Sequence, residues 1–597
     1  MTHTQPEPSP LHDWLRRLWP FYCLLTALAT FGYVLWDGYQ IDGDAVSYMD
    51  IADLIRSHDW AGVVNAYWHP LYPAALAVGQ ILIHPTRFAE LNAYYMVNFG
   101  IFLLEMLAVV AFTDALTALR DARASASDSR NTGFLLDRYA LRYLGLALLV
   151  IASQRELTIG KVRPDALLQA LLLFGIAALL RHLATAKLHY AAFMGLALGL
   201  AYLTKSFALI FTLFAILTMM VFRWLWLRHA PVRIVAAGAV ALLCFGLVAG
   251  PYVAALSRQK GRLDLGDSGS LNYAWFIDGT DRAHLQNGHP EQCGTAEVHL
   301  RHPEKVLMTS PLVLSYKQIP YGTYPDWFDA SYWNDQIKPH FNARGEAHAV
   351  TFNIKITFRY LLNHPETLVL FAVFLLLGAR PDLCRRLTGN GFWIVPLLLG
   401  IAIWAIYGLV IVEERYVTAG FLLIALTLFA SLRPLSSSRS TQLASTASVI
   451  ALLAALFASG ESLRIVLDMR RYISAAGYAR GWYDPDTFNA AQGLKDIGLS
   501  SGDGIACVGT RACLTDYYWA RLAGVRILTE IYQPDPPLYV SLTALPNLNQ
   551  AIEAARQNGA KVLVGYFDPG TMTGTTPLTA GWRRLGSSSF YALFLNP

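Results

Sequence analysis

Four carboxylates crowd one short stretch, IDGDAVSYMDIADL at 41–54: Asp42, Asp44, Asp50 and Asp53. Asp44, Tyr48 and Ala52 fall at helical spacing, so Asp44 opens a helix from which it can take a proton from a hydroxyl. Asp is also favoured as a helix cap near the positive end of the dipole. For Asp42 the two roles are evenly matched. In YWHPLYP (67–73), His69 beside a rigid proline can donate to an anion, while Trp68 reads as part of an interfacial aromatic belt. Next come Arg155, Glu156, Lys161, Arg163 and Asp165. Three cations so close together suit a phosphate, since Arg and Lys are its usual partners; a salt-bridged cap is the plainer alternative. Lys205 interrupts an apolar stretch running from 190 to 222, either as a snorkelling helix end or as an anion ligand facing a cavity. Arg415, in Glu413-Glu414-Arg415-Tyr416, either pairs with a neighbouring glutamate or reaches a ligand. Carboxylates beside cations suit a reaction in which a phosphate leaves and a hydroxyl attacks. No zinc motif, G-x-S-x-G or P-loop accompanies them.

The elements that must position these residues are membrane helices. The chain has 597 residues, 54% hydrophobic and only 15% charged, against about 25% charged in soluble domains. That composition excludes disorder, and a net charge of +5 is too mild to suggest nucleic acid. A bilayer core needs about 20 apolar residues per helix. Runs at 19–36, 94–118, 164–183, 206–222, 234–254, 392–412 and 416–432 qualify, and shorter ones at 139–153, 190–204, 366–379 and 445–460 bring the total to about eleven spans. Arg16 and Arg17 place the N-terminus in the cytoplasm by the positive-inside rule. Every second loop is then basic and cytoplasmic: 119–138, Arg181/Lys187, Arg223/Arg228/Arg233, Arg380/Arg385/Arg386 and Arg433/Arg439. The apolar run 71–83 is too short to cross, and counting it as a span would reverse every later loop. It is expected as a helix on the outer surface. This gives a transmembrane module at 1–460 with external loops 37–93 and 255–365, and an external α/β domain at 461–597. In that tail, strands are expected at 504–509, 561–567 and 589–595, with helices at 514–523 and 547–558. Cys507 and Cys513 either close a small disulfide loop or remain free thiols. All four charged groups then lie at the outer ends of spans.

In order and sidedness, the chain resembles the membrane-embedded C-type glycosyltransferases (GT-C superfamily), and more narrowly the protein O-mannosyltransferase and lipid A aminoarabinose transferase branch. The resemblance covers roughly 19–432. It rests on Asp44-Ala45 with Tyr48 and Ala52, HPLYPAAL (69–76), RPDALL (163–168), GLALGLAYLTK (195–205) and EERYVTAG (413–420). It implies a helical polytopic fold, a bacterial inner-membrane location and inverting transfer from a polyprenyl-phosphate sugar to an acceptor glycan, lipid or protein on the periplasmic side. Carried over, Asp44 is the base, with Asp42 as its substitute, and Asp165 orients the site. Lys205, Arg163, Lys161, His69 and Arg415 hold the donor phosphate, and Tyr48, Tyr72, Glu414 and Tyr416 contact substrate. Two departures stand out: many relatives carry a second carboxylate where this chain has Ala45, and some carry Lys where it has His69. A glycosyl phosphate brings its own leaving group, so no cofactor and no essential metal is expected. Aromatics of the long loop (Tyr273, Trp275, Tyr316, Tyr321, Tyr324, Trp327, Tyr332, Trp333) can stack on sugars or belong to the interfacial belt. The alternatives are a flippase for a lipid-linked sugar, which should show inverted repeats that this sequence lacks, a polymerase or ligase using lipid diphosphate donors, and a non-catalytic assembly subunit.

Overall fold

The computed structural model describes residues 10–36, 39–126, 134–155, 157, 159–280, 300–363, 391–432, scattered positions from 458 to 468, 484–515, 517–533, 539–541, 545–568 and 581–595. Nine of the expected spans fall on helices: α1 (Pro10–Trp36), α4 (Glu90–Ala126), α5 (Arg138–Arg155), α6 (Asp165–Thr185), α7 (Leu188–Tyr202), α8 (Phe207–Leu225), α9 (Pro231–Lys260), α12 (Ile394–Gly408) and α13 (Glu414–Ser431). By length and composition α4, α6, α8, α9 and α13 can each cross a membrane, and α7 and α12 are shorter apolar helices. The protein is thus a multi-pass membrane protein. The spans expected at 366–379 and 445–460 lie outside, or almost wholly outside, the described residues. Between α1 and α4 lie α2 (Gly43–Arg56), a single helical turn at Trp60–Val63, and α3 (Leu71–Ile83). The helix α3 is the short apolar run; it packs on α2 and α4 and leaves Val78, Ile81 and Leu82 exposed. Between α9 and α12 lie α10 (Ser268–Phe276) and α11 (Ala343–Asn363).

Helix packing is closest where side chains are smallest. Gly195 and Gly199 on α7 form a small-x-x-x-small face, which lets helix backbones approach. A Cβ at Gly195 would lie 2.1 Å from the Ala241 carbonyl oxygen of α9, and one at Gly199 would lie 2.8 Å from Val248 Cβ. This contact seats α7 against α9 just before its end at Tyr202, and Lys205 follows that end.

The tail folds as an α/β unit with a larger sheet than expected. Its own strands are β3 (Gly504–Val508), β4 (Arg526–Ile531), β5 (Val562–Tyr566), β6 (Trp582–Arg584) and β7 (Phe590–Phe594). Two more, β1 (Lys305–Thr309) and β2 (Leu312–Ser315), come from the loop 255–365, giving the order β1-β2-β4-β3-β5-β7-β6. β3 runs parallel to β4 and β5, whereas β2 joins β4 antiparallel through pairs such as Val313 with Ile531. The division drawn at 460 therefore does not bound the sheet. Strand pairing between distant segments leaves no local sequence mark, whereas β3, β5 and β7 announced themselves by their apolar, β-branched and aromatic runs. The helices α14 (Pro485–Asp496), α15 (Tyr518–Ala523) and α16 (Leu548–Gln557) cover the sheet. Cys507 and Cys513 are joined as a disulfide. The helix expected at 514–523 is split, with a π-helical turn at Arg511–Thr515 before α15.

Gly195→Val should lower the melting temperature of the detergent-solubilised protein by several degrees, since overpacking costs about 1–3 kcal/mol. Gly246→Ala, where nothing lies within 4 Å of the added carbon, should leave it unchanged.

Candidate active site

Three helix N-termini and one helix C-terminus bring the charged residues together. Asp42 caps α2, its side chain accepting from Ala45 N at 3.0 Å, and Asp44 sits in the first turn. Pro164, with its preset φ, precedes Asp165, the first residue of α6. Arg415 lies in the first turn of α13, and Lys205 follows the C-terminus of α7. The HPLY segment is tied to the same place by Leu71 N, which donates to Leu203 O at 2.9 Å.

At the centre, Lys205 Nζ donates to Asp165 Oδ1 at 2.6 Å. The Arg415 guanidinium approaches Asp165 Oδ2 at 3.7 Å and Asp44 Oδ2 at 4.0 Å. Its Nε is held by Glu413 at 2.6 Å. Asp165 is 2% exposed and Arg415 10%, while Lys205 and Asp44 keep 20% and 25%. Asp165 Oδ2 accepts no hydrogen bond among the described residues. Tyr416 forms a wall: Lys205 Nζ lies 4.2 Å from its ring centroid, a cation–π contact, and its ring stacks on Tyr407 at 4.9 Å. Arg163 pairs with Asp42 at 2.5 Å. Of the two candidate bases, Asp42 is thus committed to a cap and an ion pair. Asp44 faces Arg415 and receives the Trp327 indole N–H at 3.1 Å.

The other expected site residues are placed as follows. Lys161 offers its carbonyl to Asn98 Nδ2 at 2.7 Å. Glu414 opens α13, and its carbonyl receives Thr418 Oγ1 at 2.9 Å. Tyr48 is buried, edge-on to Trp68 and Tyr72. Tyr72 is fully buried with its hydroxyl donating to Asn98 Oδ1 at 2.9 Å, so it braces the fold, where a substrate contact was expected. His69 also departs from expectation. It is buried between the rings of Tyr202 and Tyr252. Burial pushes its imidazole down to about 4, so at neutral pH it carries no charge for a phosphate.

Three residues of this neighbourhood escaped the sequence reading. Trp327 was one of eight loop aromatics with nothing in its spacing to single it out. Glu413 was noted only as one of two possible partners of Arg415. Glu105, a carboxyl inside α4, receives Gln169 Nε2 at 2.8 Å one turn below Asp165; its interruption of the run 94–118 was the available signal.

No protein-family profile matches the sequence, and no curated protein matches it. Solved structures do. ArnT from Cupriavidus metallidurans in the apo state superposes with a TM-score of 0.54 at 11% identity, covering 97% of this chain and 98% of that one. The same protein bound to undecaprenyl phosphate gives 0.53 at 11%, covering 96% and 98%. The likeness runs the length of both chains and is one of fold.

The buried His69 has a pH signature. A pKa lowered in the folded state means the unfolded chain binds more protons between about 6.5 and 4. Its contribution is complete above pH 6.5 and is lost as pH falls towards 4, a change of about 3 kcal/mol at 1.36 kcal/mol per unit. Thermal melts of His69→Gln against wild type should show a smaller acid-side loss across that window.

Proposed function

We propose that this chain is a membrane-embedded glycosyltransferase that moves a hexosyl or pentosyl group from a polyprenyl-phosphate donor to an acceptor hydroxyl, with inversion. The observation that carries the reading is the meeting of Lys205 and Arg415 at Asp165, with Asp44 on the far side of Arg415. The fold shared with ArnT, which binds undecaprenyl phosphate in one of its structures, supports it. So do the motif resemblances to the lipid A aminoarabinose transferase branch.

The donor phosphate docks against Lys205, which spends one of its three N–H groups on Asp165, and against the Arg415 guanidinium. Asp44 takes the proton of the acceptor hydroxyl as its oxygen attacks the anomeric carbon. The bond from that carbon to the phosphate oxygen breaks on the opposite face, and its electron pair leaves with polyprenyl phosphate. Lys205 and Arg415 stabilise the charge that develops there. Asp165 keeps both cations aimed at one point, and Trp327 fixes the Asp44 carboxylate. No step requires a metal or a cofactor. The positive-inside pattern of the basic loops supports a reading in which this face is periplasmic at a bacterial inner membrane and the N-terminus cytoplasmic.

Asp44→Asn should bind undecaprenyl phosphate like wild type, yet lose sugar transfer by roughly 10²–10⁴-fold, the range of a lost general base. The readout is mass spectrometry of glycans and envelope lipids from a deletion strain carrying the variant. Wild-type transfer would remove Asp44 from the mechanism. Lys205→Ala should weaken undecaprenyl phosphate binding by about tenfold or more, the worth of a charge-assisted contact. Unchanged affinity would exclude it from the donor site. Sugar-lipid translocation without transfer would favour the flippase reading.

A further inference from the structure

The tail reaches the helix that carries Asp44, and it does so through a buried arginine. Arg521 of α15 is 3% exposed. Its guanidinium contacts Asp50 Oδ1 at 2.6 Å, Asp53 Oδ2 at 3.0 Å and Glu90 Oε2 at 2.9 Å. Asp50 and Asp53 lie on α2, and Glu90 begins α4. Burial works against the charge on Arg521, but Asp53 and Glu90 hold it firmly protonated. Tyr518, one turn earlier in the same helix, donates to Glu90 Oε1 at 3.1 Å.

The same tail segment grips α2 at its other end. Tyr517 Oη donates to the carbonyl of Gly43, the residue before Asp44, at 2.9 Å. A Cβ at Gly43 would stand 3.1 Å from that hydroxyl and 3.2 Å from Trp327 Cδ1, so tail, α2 and Trp327 meet there with no space to spare. Asp50 is also the acceptor for Thr323, from its backbone N–H at 2.6 Å and its hydroxyl at 2.9 Å. Four residues on, Trp327 donates to Asp44, and its carbonyl receives Ser47 Oγ at 3.3 Å. A closed ring results: Arg521 to Asp50, Asp50 to Thr323, the chain to Trp327, and Trp327 to Asp44 on the helix where the ring began.

We infer that Arg521 is a positioning residue through which the tail sets the orientation of α2, and with it the place of Asp44 relative to Arg415 and the donor. The donor phosphate ligands belong to other elements, Arg415 to α13 and Lys205 to the turn between α7 and α8. Loosening the clamp therefore shifts the base and leaves the phosphate site standing. A misplacement of the order of 1 Å is enough to cost about a hundredfold in rate. The inference rests on the proposed transfer reaction.

The test compares wild type with Arg521→Gln, Arg521→Lys and Tyr517→Phe as full-length protein. Three quantities are read: undecaprenyl phosphate affinity and stoichiometry, hydrogen exchange of the 43–50 backbone, and transfer product in a complemented deletion strain at equal membrane level. Arg521→Gln should bind one undecaprenyl phosphate with affinity within twofold of wild type, exchange faster at 43–50, and form product at least tenfold more slowly. Arg521→Lys should recover part of the rate, and Tyr517→Phe should lose a few-fold. If Arg521→Gln does not accumulate, the other two variants decide on the same criteria. Wild-type product and exchange in the folded variants would overturn the inference. So would a product loss that only tracks lost binding-competent protein, since that is the mark of a docking anchor alone. Faster exchange at 43–50 in a protein whose wild type transfers no sugar would instead remove the proposed reaction and leave the clamp.

Discussion

Charges gathered at the ends of membrane helices set the terms for everything around them. A lone ammonium or carboxylate in such a place is expensive, because the water that would solvate it is gone. Asp165 is the shared solution: one nearly inaccessible carboxylate faces Lys205 at 2.6 Å and Arg415 at 3.7 Å. Neither cation is saturated by it. Lysine has donors left over, and Arg415 divides itself among Asp165, Glu413 and the more distant Asp44. Charges compensated just enough to be buried, with capacity remaining, are suited to receiving a phosphate. The N-termini of α2, α6 and α13, which open at Gly43, Asp165 and Glu414, bring their positive dipole ends to the same cluster.

Holding that arrangement demands precision from elements far apart in the chain. The close approach of α7 and α9 at Gly195 and Gly199 fixes the approach to Lys205. Asn98 on α4 ties the Tyr72 hydroxyl to the carbonyls of Ile159 and Lys161, which leads the chain into Arg163 and Asp165. The helix α2 packs on α3 and buries Val46, Met49 and Ile51 in the core. Its carboxylates are met by Thr323, Arg87, Gln80 and Arg521. The long loop and the tail are one structure where they share a sheet, so these contacts act on α2 together.

Much of this was readable from the residues, and the reasons for success and failure are physical. Spans are legible because a bilayer dictates their length and apolarity, and nine expected runs coincide with helices. Asp44, Asp165, Lys205 and Arg415 stood out because a charge in an apolar setting needs a reason, and the structure gathers those four. The strands at 305–315 were invisible, since β1 pairs only with β2 and β2 joins the sheet through β4, far along the chain. His69 misled because its type suggested an anion contact, while its protonation is set by burial among rings that the sequence does not reveal. Nothing in the sequence singled out Arg521 within the helix expected at 514–523. Its three carboxylate partners come from two other helices, and only tertiary structure brings them within reach.

The central claim is that a polyprenyl phosphate seats its phosphate between Lys205 and Arg415, beside Asp165 and within reach of Asp44. A structure of the full-length protein with undecaprenyl phosphate tests it most directly. The account predicts phosphate oxygens within hydrogen-bond distance of Lys205 Nζ and the Arg415 guanidinium, with the Asp44 carboxylate facing the position a sugar would occupy. A phosphate bound elsewhere, with the Lys205–Asp165 pair and Arg415 undisturbed, would contradict it.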